Sequence, residues 1–226
     1  RIARQRGIPY LVDAAQSAGH VPIDVRAWGA DFVAFPGHKG LLGPLGTGVL
    51  YIRPGAEDQL PTMKEGGTGT VSEVPRQPVT MPDKYEVGSH NAIGLAGLSE
   101  GVAWLLERGV ESVRSHDERL SRRFLSKTEG VEGLTVHGPR EIAHRAGVFS
   151  VNVEGLSPGE LAGVLDADFG ICTRPGIHCA PLAHETINTH PVGTCRFSFG
   201  PFTRESDVHT ACDALATVAR DIRVGK

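Results

Sequence analysis

Lys39 stands alone in FPGHKGLLGPLGTGVLY (35–51), among five glycines, two prolines and a run of apolar residues. A lysine in a partly desolvated pocket has its neutral amine favoured, and that amine condenses with carbonyl compounds. Gly37 and Gly40 let the backbone fold tightly around it, and His38 offers a donor to an anion such as phosphate. VDAAQ places Asp13 and Gln16 at the end of a strand that reads as buried. Ligands of open α/β sheets bind outside the carboxyl ends of strands, the edge on which both Asp13 and Lys39 should emerge. The alternatives are a turn or helix cap for Asp13 and an exposed loop position for Lys39.

A second group lies far along the chain. In TRPGIHCAPLAH, Cys179 follows His178 and stands five residues after Arg174. Nearby cations favour the thiolate, the nucleophilic form of the residue. Arg196 sits inside the apolar run GTCRFSFGP. A buried guanidinium needs an anion, either a bound carboxylate or an internal Asp or Glu. Cys172, Cys195 and Cys212 lie in strand or helix patterns and read as buried structural cysteines. His178, Cys179, His184, His190 and Cys195 are close in sequence, but their spacing fits no zinc pattern. GGTGT at 66–70 lacks the Gly-Lys-Ser/Thr ending of a phosphate loop and reads as a flexible loop.

These residues need strands and tight turns to position them. PYLVDAA reads as a buried strand, with ADFVAFPG and GTGVLYIRP as the next two. VPIDVRAWG is a connection with a short helical turn. Residues 61–90 are rich in Gly, Pro, Thr and Ser and irregular, as functional or interface segments often are. NAIGLAGLSEGVAWLLERG and VESVRSHDERLSRRFLSKTEG are helical. GLTVHG, AGVFSVNVEG, GICTRPG and GTCRFSFG read as strands. Ser157 caps the helix from Pro158, with Glu160 placed for a capping box. A closing amphipathic helix is capped by Thr203. The expected architecture is α/β: residues 1–105 belong to a parallel α/β domain, and 106–226 form a smaller α+β domain.

The 226 residues carry a formal charge of -3, which gives no basic field for nucleic acid. No apolar run approaches the ~18 residues of a membrane span. The four cysteines are widely spaced without a C-x-x-C, which argues against a disulfide framework and for a reducing, cytoplasmic setting. The opening RIARQRGIPY reads as a helix tail with Gly7 as its C-cap and a strand from Tyr10. The chain is therefore expected to be the C-terminal part of a longer protein.

VDAAQSAGHVPIDV, ADFVAFPGHKGLLGPLGTGVLY, YEVGSHNAIGLAGL, RPGIHCAPLAH and GTCRFSFGPF occur in this order over nearly the whole chain. Together they resemble the class V aminotransferase superfamily of pyridoxal-phosphate enzymes, in its cysteine desulfurase and selenocysteine lyase branch. The resemblance implies the type I fold of these enzymes: part of a large domain with a mixed, mainly parallel sheet, and a small C-terminal domain. It implies that Lys39 bonds covalently to pyridoxal 5'-phosphate. Asp13 would pair with the pyridine nitrogen, Gln16 with the ring oxygen, and His38 would lie near the phosphate. Ser89 matches a residue that reaches the phosphate of the partner subunit, which implies a homodimer. Arg196 would hold the substrate carboxylate, Arg174 is the arginine of the R-x-G-x-H-C-A motif, and Cys179 is its nucleophile. The implied reaction removes sulfur from a small amino acid, L-cysteine, and passes it to an acceptor, which could be a protein. Other reactions of the superfamily (transamination, selenocysteine lysis, epimerisation) and a non-catalytic sulfur-carrier role are the alternatives.

Two departures qualify the match. Pro36 replaces the usual Ser or Thr and removes a hydroxyl donor to the phosphate. The family's N-terminal portion, which stacks on the cofactor ring and supplies a phosphate loop, has no counterpart here. The chain alone is therefore expected to be inactive.

Overall fold

The computed structural model describes residues 1–67, 69–71 and 73–225. Thr68 of the GGTGT run lies outside the described residues. The chain divides into two compact units, Arg1–Glu111 and Ser112–Lys226.

In the first unit a short helix, α1 (Ile2–Gln5), precedes strand β1 (Leu11–Asp13). The helix is capped by Arg6, with Gly7 one position beyond in the left-handed region, so the cap lies one residue before the expected one. A crossover of residues 14–31 contains α2 (Val25–Trp28). Asp24 starts it by accepting hydrogen bonds from the Arg26 and Ala27 amides, both at 2.9 Å. Strand β2 (Phe32–Pro36) pairs parallel to β1, with Asp13 opposite Ala34, and β3 (Gly48–Ile52) pairs antiparallel to β2. Helix α3 (Ala92–Arg108) starts at Asn91, whose side chain accepts from the Gly94 amide at 3.0 Å.

Strand β1 is not buried as its apolar run suggests. Among the described residues it has a strand neighbour on one side only, and Leu11 is 52% exposed. An open cavity of about 790 Å³ lies against the sheet, walled by Leu11, Ala34, Leu50, Ile52, Met81 and Tyr85. The unit's core is small, with Ala14, Ala18, Ala30 and Val33 at its centre. The irregular segment 61–90 is tied down by polar contacts. Lys84 Nζ donates to the Glu57 carbonyl at 2.6 Å, and Tyr85 Oη lies 2.7 Å from the Leu60 carbonyl.

The second unit is built on a four-stranded antiparallel sheet, ordered β4 (Leu134–Val136), β5 (Val148–Val153), β7 (Thr194–Ser198), β6 (Arg174–Gly176). Its helices are α4 (Val110–Thr128), α5 (Pro158–Phe169), α6 (Pro181–Thr186) and α7 (Glu205–Val224). Alternation along the strands decides the two faces. Phe149, Val151, Cys195 and Phe197 enter the core with residues of α4, α5 and α7. Phe124 of α4 is central, with ring centroids 4.4 Å from Phe149 and 5.6 Å from Phe199.

The capping box before α5 is present: the Ser157 hydroxyl accepts from the Glu160 amide, and the Glu160 carboxylate accepts from the Ser157 amide at 2.8 Å. The start of α7 differs from expectation. Its N-cap is Arg204, whose amide donates to Asp207 at 2.9 Å, while the Thr203 hydroxyl accepts from the Gly200 amide and closes the preceding turn. The carboxylate three residues on holds the helix start that the hydroxyl was expected to hold.

Candidate active site

In the first unit, β1 and β2 are parallel, so the turns that leave them emerge at one sheet edge. Backbone contact locks these turns together. A Cβ added at Gly19 would stand 2.0 Å from the Gly40 carbonyl oxygen, and one at Gly40 would stand 2.2 Å from that of Ala18. Only glycine allows so close an approach. The turn carrying Lys39 is closed by hydrogen bonds from the Gly37 amide to the Thr47 carbonyl and from the Gly43 amide to the Gly37 carbonyl, both at 2.8 Å.

Asp13 Oδ1 accepts from the Ala15 amide at 2.9 Å, so the turn-capping reading is correct for that oxygen. Its other oxygen accepts no hydrogen bond among the described residues. Lys39, His38 and Gln16 are exposed, and Lys39 Nζ has no hydrogen bond or ion pair among the described residues. The desolvated pocket anticipated for the lysine is therefore not formed within this unit. The 790 Å³ cavity touches Asp13 but not Lys39, His38 or Gln16, and it is bounded by the sheet and by Met81, Pro82, Tyr85 and Glu86. Ser89 is exposed, just before the Asn91 cap of α3.

In the second unit, Ser150, Arg196 and Arg174 lie side by side across β5, β7 and β6, since Ser150 and Arg174 are both register partners of Arg196. Directly opposite residues share a face, so the two arginines lie on the sheet face turned away from the aromatic core. Neither has a carboxylate partner among the described residues, and Arg196 Nε is buried without a hydrogen bond. Burial, and then the neighbouring Arg174 charge, pull the Arg196 pKa below its ordinary value. A guanidinium in this position stays protonated and lacks an anion.

The chain leaving β6 turns sharply. His178 and Cys179 both adopt left-handed backbone conformations, with φ of 57° and 61°. Two consecutive non-glycine residues there cost roughly 1–2 kcal/mol each, so surrounding contacts must hold them. The His178 Nε2–H donates to the Arg174 carbonyl at 2.7 Å. Cys179 is exposed, and its sulfur lies 3.8 Å from Arg174 Nη2. Burial, and then the charge of Arg196, hold the His178 pKa below its ordinary 6.5, partly offset by the carbonyl bond. Its ring packs on that of His184, at a centroid distance of 5.4 Å. His184 is buried and bonded to Thr189 Oγ1 at 2.7 Å. Sequence reasoning missed these supports; the only trace of them is the recurrence of His and Thr in HCAPLAHETINTH.

The other cysteines separate. Cys195 and Cys212 are buried, and burial raises both thiol pKa values, that of Cys212 to about 12. Cys172 is exposed, against expectation. It lies in the link between α5 and β6, outside the sheet, because β6 begins only at Arg174.

The family profile of the class V aminotransferases (Aminotransferase class-V) matches residues 1–210. The chain belongs to the class V aminotransferase family. A probable cysteine desulfurase of Methanothermobacter thermautotrophicus is 35% identical over 223 residues, which are 97% of this chain and 55% of the relative. A cysteine desulfurase of Escherichia coli O8 is 32% identical over 222 residues, 97% of this chain and 53% of the relative. Among solved structures, the apo cysteine desulfurase of Thermococcus onnurineus NA1 superposes with a TM-score of 0.90 at 35% identity, covering 97% of this chain and 55% of that one. The Escherichia coli cysteine desulfurase CsdA gives 0.83 at 29% identity, covering 98% and 54%. The fold is that of these class V enzymes. The chain spans about half the length of the curated relatives it matches.

Proposed function

We propose that this chain is the part of a pyridoxal-phosphate-dependent cysteine desulfurase that carries the lysine and the cysteine of the reaction. The observation that supports this most is the group around Cys179: an exposed thiol beside one guanidinium, and a second, half-buried guanidinium without a carboxylate partner among the described residues. A transaminase needs no such thiol. The first unit would hold the cofactor and the second the sulfur chemistry.

The residues of the first unit fit the cofactor. Asp13 has a carboxylate oxygen to spare for the pyridine nitrogen, Lys39 has an unpaired amine for the aldehyde, and the Gly19–Gly40 contact keeps side chains out of the turn between them. His38 and Gln16 offer polar groups to the phosphate and the ring oxygen. Pyridoxal phosphate, when bound, supplies an electron sink for charge developing at the substrate Cα. Asp13 would favour a protonated ring nitrogen by pairing its free carboxylate oxygen with it. Lys39 would hold the cofactor through its amine, and that same amine would move the proton at the substrate Cα. Arg196, flanked by Arg174, binds the substrate carboxylate.

The Cys179 thiolate attacks the substrate sulfur. An S–S bond forms and the Cβ–S bond breaks. Its electron pair stays on the carbon fragment, which takes up a proton and leaves as alanine. Cys179 keeps the sulfur as a persulfide until an acceptor thiol removes it. The enzyme is read as a cytoplasmic homodimer, with Ser89 reaching the phosphate in the partner's site.

The test uses the complete protein. It should show a visible cofactor absorbance that borohydride fixes on Lys39, and it should convert L-cysteine to alanine and sulfide. A complete protein that retains no cofactor would sink the proposal.

A further inference from the structure

His178 takes no part in the steps above, yet it is bound into the loop more firmly than the cysteine beside it. Its ring donates to the backbone carbonyl of Arg174, and the side chain of that same arginine reaches the Cys179 sulfur. Arg174 is thus gripped at both ends by two consecutive loop residues, which closes a ring from carbonyl to guanidinium to sulfur and back through the backbone. His184 packs against the His178 ring and is itself bonded to Thr189.

We infer that His178 is a positioning residue: its hydrogen bond to the Arg174 carbonyl, backed by His184, holds the left-handed turn that sets the Cys179 sulfur against the Arg174 guanidinium. The inference rests on the reading of Cys179 as the sulfur-accepting nucleophile. A carbonyl can only accept, so Nε2 carries the ring proton in this bond. The groups around the ring are Arg174, Arg196, His184 and Cys179. With its pKa below the ordinary value, the ring is mainly neutral at pH 7 and adds no third charge beside the two arginines. The positive charge at the sulfur then comes from Arg174, whose distance is set by the histidine, and from the neighbouring Arg196.

Three variants of the complete protein separate the bond from the backbone conformation. His178→Gln keeps an N–H at the reach of Nε2. His178→Gly adopts the left-handed region freely but loses the donor. His178→Ala loses both. The readout is the rate at which iodoacetamide alkylates Cys179 at neutral pH without substrate, taken by peptide mass spectrometry as a ratio to the exposed Cys172. Labelling of buried Cys195 and Cys212 reports unfolding, and a variant in which they label is replaced by Thr189→Val, which weakens the same support from behind. The glycine and alanine variants, and Thr189→Val where it is used, should react about fivefold more slowly than the parent, the change expected for one lost hydrogen bond. The glutamine variant should stay within about twofold. A glycine variant as fast as the parent, a glutamine variant as slow as glycine, or an unchanged rate in Thr189→Val would overturn the inference. The thiol ratio needs no turnover. If the complete protein forms no alanine, the desulfurase reading fails while the role of His178 is still decided.

Discussion

Cys179 and Cys172 are both exposed, but only Cys179 has a guanidinium at its sulfur; the nearest polar side-chain partner of Cys172 is the carboxylate of Asp166, 3.9 Å away. Charge separates two thiols that exposure does not. Titration with a disulfide reagent should find these two cysteines of the chain reactive in the native state, and Cys195 and Cys212 only after denaturation. Arg196→Met should lower kcat/KM for L-cysteine by roughly 10- to 100-fold, mainly through KM, as the loss of charged hydrogen bonds to a carboxylate implies. The placement of Asp13 at the end of β1, Lys39 in the turn after β2 and Arg196 within β7 was legible from the apolar runs and turn signals around them. The exposure of Cys172 was not legible, because its apolar neighbour Ile171 mimics the start of a strand that begins only at Arg174. The left-handed conformation of His178 was equally hidden, since positive φ at a histidine leaves no mark in the sequence.

Strands and helix caps translate those residues into geometry. Helix α5 was readable to the residue, because Ser157 and Glu160 each hold the other's backbone amide and Pro158 presets φ at the first helical position. The start of α7 was not, because Asp207 competes with Thr203 for the helix start and holds Arg204. Glu160 is held below its ordinary pKa of 4.5 by the Ser157 hydroxyl and then by the Ser157 amide. A depressed carboxylate stabilises the fold above its unfolded value and loses that contribution as pH falls through the folded one. This contribution to thermal stability should therefore be lost as pH falls below about 4.5, and Ser157→Ala should flatten that part of the profile. The same substitution should cost about 1 kcal/mol at neutral pH by chemical denaturation. In the aromatic core, Phe149→Ala should cost about 3–5 kcal/mol. Gly40→Ala should abolish fixation of the cofactor on Lys39 in the complete protein, because the added carbon would collide with the Ala18 carbonyl.

At the level of the whole chain, the two units bury their apolar surface unequally. The second encloses four mutually packed phenylalanines, whereas the first centres on alanines and valine and leaves Leu11, Val49 and Leu50 exposed around the sheet. The order of motifs revealed the family over nearly the full length, but the one-sided environment of β1 could not be read from an apolar run that looks the same covered or bare. The 226-residue chain expressed alone should self-associate and bind a hydrophobic dye, and a dispersed monomer with no dye binding would contradict that expectation. No helix among the described residues is long and apolar enough to cross a membrane.

The decisive measurement is a single turnover of the complete, cofactor-loaded protein with L-cysteine, followed by mass spectrometry of the Cys179 peptide and assay of alanine. The peptide should gain one sulfur in step with an equal amount of alanine, and Cys179→Ala should form neither persulfide nor alanine above background. Alanine released at the parent rate by Cys179→Ala would contradict the assignment of Cys179 as the sulfur acceptor.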